Sequence, residues 1–211
     1  MSTQETKQRI LDVAERLFAS DGYHGTSLRA ITGGAHVNLA AVNYHFGSKE
    51  ALITAVIERR LVPINRLRTK RLAEVRQTAA RSGRRPVIKD VLFAFIEPTL
   101  LFKESGPGAR DFIALVGRAI AEPDDTVRKI FMGFMDLVFH LLFETLAEAA
   151  PHIPRDVLFW RISFAIGAIS HTMLSFGRCV FIPAGVEPEP DARALVEMLV
   201  PFVAAGMEAS L

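Results

Sequence analysis

The sequence predicts an all-α protein. Half of its 211 residues are hydrophobic, which is enough to bury a sizeable core. Apolar residues recur at helical spacing along nearly the whole chain, whereas the period-two alternation of β-strands is absent. Glycines and prolines separate the helical stretches, as expected at helix ends. Each predicted helix therefore follows from a local pattern.

The first helix begins with a capping signal and carries one apolar stripe. Ser2 and Glu5 have the spacing of a capping box. The stripe follows at positions i, i+3, i+4, i+7 and i+8, and consists of Ile10, Val13, Ala14, Leu17 and Phe18. We expect this helix to stop near Asp21 and Gly22.

Two short helices should follow. Thr26 or Ser27 can cap the second helix, and the Gly33–Gly34 pair is expected to break it. Asn38 can then cap a third helix, which Gly47 should end. The third helix has an inner face for Val42 and Phe46, which predicts that it packs on the helices before it.

The fourth helix leads into a strongly basic stretch. Ser48 can cap this helix, and Pro63 should kink or end it. Residues 58–85 hold many arginines and lysines but only Glu58 and Glu74 as acidic residues. This basic segment has three open interpretations: solvated helix faces, attraction to DNA, or attraction to an anionic ligand head group.

Five longer helices are predicted in the remainder of the chain. Prolines and glycines separate them at about residues 106–108, 123, 151–154 and 183–190, and the predicted helices cover roughly 86–103, 108–121, 124–149, 155–181 and 190–209. Helices near residues 131–139 and 162–174 are apolar around most of their circumference. Such helices need neighbours on several sides, as in a ligand pocket or a dimer interface.

The three N-terminal helices have the layout of a helix-turn-helix, in which the last helix enters the DNA major groove. That helix needs small or flexible polar side chains on its outer face. We expect base contacts from Leu39, Ala40, Ala41 and Asn43, with the alanines near thymine methyls and Asn43 on an adenine edge.

Phosphate contacts are expected around this helix. Helix starts suit anions because their N–H groups are free, and basic or hydroxyl side chains add to the attraction. The candidates flank the recognition helix or open a helix, and they are Thr26, Ser27, Arg29, Tyr44, His45 and Lys49. Asn38, at the start of the recognition helix, is a further DNA-binding candidate.

Three runs of residues, 22–31, 35–38 and 44–52, resemble the TetR-family DNA-binding domain over about residues 6–53. The resemblance implies a helix-turn-helix domain over residues 1–50 and a helical effector-binding and dimerisation domain over residues 51–211. It further implies a homodimer through the last two long helices, a palindromic operator and, most often, repression. The family usually has glycine where this chain has His36.

The segment Asn38–Lys49 is similar to the PsrA-like, fatty-acid-responsive branch of that family. This similarity favours a long-chain fatty acid or its acyl-CoA as effector, and another hydrophobic small molecule is the alternative. Candidate ligand-lining residues are Phe95, Phe102, Phe112, Phe131, Met135, Phe139, Phe164 and His171. Candidate head-group partners are Arg118, Arg161, Arg178 and His171.

Composition and motifs argue against other classes. The lone Cys179 excludes an intramolecular disulfide and fits a reducing, cytoplasmic compartment. The apolar stretch between Arg161 and Arg178 is too short for a bilayer span, so no membrane partner is expected. His140, His171 and Cys179 lack metal-ligand or nucleophile spacing, so no metal, cofactor or enzymatic activity is expected. The alternative is a ligand-binding protein or enzyme whose DNA-binding domain is vestigial.

Overall fold

The computed structural model describes residues 2–106, 108–121, 125–174, 183–185 and 191–210. Within these ranges the chain is helical and holds no β-strand, which confirms the all-α prediction. Besides a short 3-10 turn, Phe102–Glu104, the helices are α1 Thr3–Gly25, α2 Leu28–Ala35, α3 Leu39–Phe46, α4 Lys49–Arg81, α5 Ile88–Leu101, α6 Ala109–Ala121, α7 Asp125–Ala149, α8 Arg155–Leu174 and α9 Ala192–Glu208.

The predicted positions of the later helices agree with α5 to α9 to within a few residues. The predicted extension of α8 to residue 181 lies outside the described residues. Among the described helices, α7 alone has the length and mean hydropathy that a bilayer span requires. One such helix is weak evidence for a membrane span, because core helices of helical bundles have the same length and hydropathy.

The chain folds as two compact units. The first unit comprises Met1–Pro63 and Gly106–Phe134, and the second comprises Ile64–Ser105 and Met135–Leu211. The predicted domain boundary between residues 50 and 51 lies in the first turn of α4 and stays a prediction. Helix α6 groups with the N-terminal helices in the first compact unit because it packs on α1.

Helix α1 has the predicted start and a later end. The Ser2 N–H donates to Glu5 Oε2 at 2.8 Å, and the Glu5 N–H donates to Ser2 Oγ at 3.2 Å. Gly22 has φ 76° and interrupts the helical conformation, as its position predicted, but the helix resumes and ends at Gly25. The buried face carries Ile10, Leu11, Ala14 and Phe18.

The predicted break at Gly33–Gly34 is wrong, because α2 continues through both residues to Ala35. A Cβ at Gly34 would lie 2.8 Å from a methyl carbon of Val13 on α1. This glycine therefore permits close packing of α2 on α1. A glycine pair has the same appearance in sequence whether it ends a helix or admits a neighbour.

The turn between α2 and α3 begins at His36, directly after Ala35, the last residue of α2. Its φ of 52° and ψ of 48° are left-handed, a conformation that glycine adopts more easily. The His36 N–H donates to the Gly33 carbonyl at 3.2 Å, and the Val37 N–H donates to the Thr32 carbonyl at 3.0 Å. The paired bonds end α2 in the manner of a Schellman cap.

Helix α4 is longer than the sequence indicated. The Ser48 hydroxyl accepts the Ala51 N–H at 3.0 Å, as predicted for its cap. Pro63 does not end the helix, which continues to Arg81. A proline costs one hydrogen bond and creates a steric clash within a helix. Burial of Leu61 and Ile64 on either side of it offsets that cost.

A buried carboxylate joins α1 to α4 inside the first unit. Glu15 is 1% exposed and accepts two hydrogen bonds from Arg60, each of 2.8 Å. Arg59 also pairs with Glu15, and it donates to Asp12 at 2.6 Å. The hydrogen bond to Glu15 raises the pKa of Arg60, against the lowering by partial burial. This Glu15 cluster fixes α4 against α1.

We expect His36→Gly to raise the free energy of unfolding by about 0.5–1 kcal/mol, because glycine removes the steric cost of the left-handed conformation. Urea unfolding followed by circular dichroism measures the change. His152→Gly is the matched control: it is exposed but has no positive φ, so it should lower stability slightly. A loss of stability in both variants would contradict the strain at His36.

We expect Glu15→Gln to lower the free energy of unfolding by roughly 2–3 kcal/mol, because two partly buried guanidinium groups lose their shared carboxylate. Glu148→Gln, which breaks an exposed pair with Arg76, should cost less than about 1 kcal/mol. The same unfolding assay compares them. Equal effects of the two substitutions would show that the Glu15 cluster adds nothing beyond a surface pair.

Candidate nucleic-acid interface

Helix α3 is held by a single fully buried side chain, Val42, which is 0% exposed. Phe46, the other predicted inner residue, is half-buried. Asn38 Oδ1 accepts the Ala41 N–H at 2.9 Å and caps the helix as predicted. Gly47, at φ 80°, ends it. The short helix is thus fixed at both ends and at one point in its middle.

The outer face of α3 is open. Leu39, Ala40 and Asn43 are exposed, and Ala41 is half-buried beside them. Tyr44 is the most exposed large side chain of the helix at 80%. The structure therefore places the predicted base-contacting residues together on one accessible surface with small side chains at its centre.

Two predicted phosphate-contacting residues differ from each other in accessibility. Ser27 is exposed and its hydroxyl caps α2 by accepting the Ala30 N–H at 3.1 Å. Thr26 is 1% exposed, and its single hydroxyl proton is shared between the carbonyls of Gly22 and Leu17, at 2.8 and 3.0 Å from Oγ1. The expected contact from the Thr26 hydroxyl is thereby corrected, because that group holds the turn between α1 and α2.

The remaining phosphate candidates surround α3. Arg29 is exposed on α2, and His45 is half-buried with its ring 5.2 Å from the Tyr44 ring. Lys49 Nζ lies 4.5 Å from the centre of the Tyr23 ring, and partial burial lowers the pKa of Lys49. The sequence did not indicate this role for Tyr23, whose ring positions a cation next to the recognition helix.

In the second unit, three of the predicted ligand-lining residues come together. Phe95 and Met135 are buried, and the Phe95 and Phe139 rings lie 6.0 Å apart. The guanidinium of Arg68 lies 4.6 Å from the centre of the Phe95 ring. The sequence does not distinguish Arg68 from the other basic residues of segment 58–85. Its burial and its contact with Phe95 are visible only in the structure.

The other predicted ligand residues are not part of this cluster. Phe112 and Phe131 belong to the first unit, and Phe102 lies half-buried in the 3-10 turn. Phe164 is 69% exposed and lies outside this cluster, so its contact with a ligand stays a prediction. His171 is exposed near the end of α8.

The structure does not place the predicted head-group partners that it describes beside the Phe95 cluster. Arg161 donates to the carbonyls of Met207 and Ala209, the latter at 2.6 Å, and so ties α8 to the end of α9. The Arg118 side chain, Arg178 and Cys179 lie outside the described residues. In the described part of the chain, no three His, Cys, Asp or Glu side chains form a metal-binding group.

Two known sequence families match the chain. "Bacterial regulatory proteins, tetR family" matches residues 10–56, and "Tetracyclin repressor-like, C-terminal domain" matches residues 93–206. The first match covers the helix-turn-helix, and the second covers more than half of the 211 residues.

Curated relatives match through the N-terminal region. The HTH-type transcriptional regulator UidR of Escherichia coli K12 is 41% identical over 54 residues, which are 26% of this chain and 28% of UidR. The regulator AcrR of Shigella flexneri is 46% identical over 55 residues, 26% of each protein. The chain therefore covers only about a quarter of the length of these relatives.

Solved structures match over nearly the entire chain. The transcriptional regulator FadR of Bacillus subtilis, solved with stearoyl-CoA, has a TM-score of 0.70 at 14% identity and covers 94% of this chain and 98% of its own. The fatty acid degradation regulator FadR of Bacillus halodurans has a TM-score of 0.67 at 13% identity, covering 97% of each chain. These identities establish the shared fold alone. The two family matches, one of which covers more than half of the chain, show that the protein belongs to the TetR family of bacterial regulatory proteins.

Proposed function

We propose that the protein is a cytoplasmic transcription regulator that binds a palindromic operator as a homodimer and represses until a small hydrophobic effector releases it. The observation that carries this proposal is the surface of α3: Val42 fixes the helix from inside while Leu39, Ala40 and Asn43 remain exposed. A major groove about 12 Å wide admits one helix with small outward side chains.

Groups that suit phosphates flank α3. Tyr44, Arg29 and Ser27 are exposed, and Lys49 carries its ammonium group beside Tyr23. Phosphate contacts fix the orientation of a protein on the duplex but carry no direct sequence information. In this arrangement, Asn43 would make the sequence-specific base contact, and the surrounding groups would bind phosphates and so fix the position of α3 on the duplex.

Exposed aromatic and apolar side chains on α8 and α9 support the homodimer. Phe159, Trp160 and Phe164 on α8 and Met198 and Phe202 on α9 are each 55–71% exposed. Large apolar surfaces of this kind are typical of interaction sites. A twofold dimer would present two α3 helices to half-sites separated by about one helical turn, ~34–36 Å, or a multiple of it.

A lipophilic acid or its acyl-CoA is the proposed effector. Support comes from the aromatic cluster of Phe95 and Phe139, from the PsrA-like segment of α3, and from the stearoyl-CoA in the similar Bacillus subtilis structure. Release requires the effector to bind more tightly to the dimer conformation with low operator affinity. Helix α4, which starts beside α3 and is fixed to α1 by the Glu15 cluster, would carry the shift.

We expect the double variant Asn43→Ala, Tyr44→Ala to bind operator DNA roughly ten- to a hundredfold more weakly, because a base contact and a phosphate contact are lost. Fluorescence anisotropy with operator DNA measures the affinity, and circular dichroism checks the fold. Gln77→Ala, an exposed amide in the second unit, is the control and should leave affinity unchanged. Unchanged affinity of the double variant would refute α3 as the reading helix.

We expect Phe202→Asp to weaken the dimer by at least about a hundredfold, because symmetry places two carboxylates in an apolar interface. Sedimentation equilibrium measures the association. Leu137→Asp is the matched control, since Leu137 is 70% exposed but lies on α7. A monomeric wild-type protein, or a dimer that dissociates only in the Leu137 variant, would contradict an interface through α8 and α9.

A further inference from the structure

Arg68 is a buried cation with only neutral acceptors. Its residue is 4% exposed, inside the second unit. Nε donates to the Phe95 carbonyl at 3.2 Å, Nη1 donates to Asn65 Oδ1 at 2.7 Å, and Nη2 donates to the Thr99 hydroxyl. Each of these oxygens is uncharged, so the guanidinium is hydrogen-bonded but its charge is not neutralised.

Two other arginines of α4 in the second unit, unlike Arg68, have carboxylate partners. Arg71 pairs with Glu97, and Arg76 pairs with Glu148. Among the described residues, no carboxylate pairs with Arg68. Burial lowers the pKa of Arg68 to about 10, which leaves it protonated at neutral pH. Buried charges are normally paired because desolvation is costly, so a buried guanidinium with only neutral acceptors favours the binding of an anion.

The surroundings of Arg68 suit the junction between an anion and a hydrocarbon chain. The Phe95 ring covers the guanidinium at 4.6 Å, and Phe139 lies next to that ring. Met135 Sδ is 3.4 Å from Nη1, where it is a weak acceptor on a flexible side chain. A charged group and an apolar wall therefore meet at one buried place.

The hydrogen-bond inventory indicates which anion fits. A guanidinium has five N–H donors, and the oxygens of Phe95, Asn65 and Thr99 accept three of them. The other two are one on each terminal nitrogen, with sulfur as a weak acceptor for the Nη1 proton. A carboxylate can accept two such protons at once, in a charge-assisted pair that sulfur cannot match.

We propose that Arg68 binds the carboxylate of a free apolar monocarboxylic acid, whose hydrocarbon part packs on Phe95 and Phe139 after Met135 moves aside. This inference rests on the proposed function and names the chemical class of its effector. A CoA thioester does not meet the requirement, because its thioester carbonyl carries no charge and its phosphates are large and strongly hydrated for so buried a group.

A ligand series on the wild-type protein tests the chemistry without any substitution. Lauric, palmitic and oleic acids are compared with the matched alcohols and CoA thioesters by isothermal titration calorimetry, in the absence of DNA. At least one acid should bind about tenfold or more tightly than its alcohol and its thioester. Equal or tighter binding of the alcohol or thioester, or no binding of any acid, would overturn the assignment.

Substitution of Arg68 tests the residue itself. Arg68→Met should weaken binding of the acid about tenfold or more and leave binding of the alcohol unchanged, because it removes the charge but keeps an apolar side chain. Arg71→Met is the control, since that charge already has Glu97 as its partner. Equal losses of affinity for acid and alcohol would show that Arg68 has only a structural role. If Arg68→Met does not fold, the ligand series on the wild-type protein still tests whether the site prefers a carboxylate.

Operator binding is measured separately, so the two proposals fail in different ways. Loss of acid selectivity with intact operator binding would remove Arg68 as the anion-binding residue and leave the regulator. Arg68-dependent binding of the acid by a protein that binds no operator would retain the anion site and refute the proposed function.

Discussion

The structure depends on the anchoring of one short helix. Eight residues form too few hydrogen bonds to persist as an isolated helix in water. Helix α3 exists because Val42 is buried, Asn38 caps its start and Gly47 ends it. Since only one side chain of the helix is fully buried, Leu39, Ala40, Asn43 and Tyr44 remain exposed on its outer face. Its suitability for the major groove is thus a consequence of how little of it the core requires.

Helix α4 places guanidinium groups in two contrasting environments. In the first unit, Arg59 and Arg60 pair with Asp12 and Glu15, which fixes α4 against α1. In the second unit, Arg68 is buried more deeply but is bonded only to neutral atoms. The ion pairs of the Glu15 cluster hold α1 and α4 together. The Arg68 guanidinium has no anionic partner of its own, so a ligand anion can pair with it. The difference between them motivates the assignment of an anion site.

The sequence predicts the features that depend on neighbouring residues. The Ser2 capping box, the Asn38 cap and the inward Val42 all follow from local patterns, and the structure confirms them. Features that depend on distant residues were missed. Gly34 admits Val13 rather than ending α2, and nothing in the sequence of the basic segment 58–85 distinguishes Arg68 from its other arginines and lysines. Those distinctions arise only when helices pack.

Selection of bound duplexes from a random pool, followed by footprinting, tests most directly whether α3 reads DNA. A twofold dimer that reads DNA through α3 should enrich an inverted repeat, with protected half-sites centred about one helical turn apart, ~34–36 Å, or a multiple of it. Recovery of no preferred sequence, or of a single asymmetric site occupied by one chain, would contradict it.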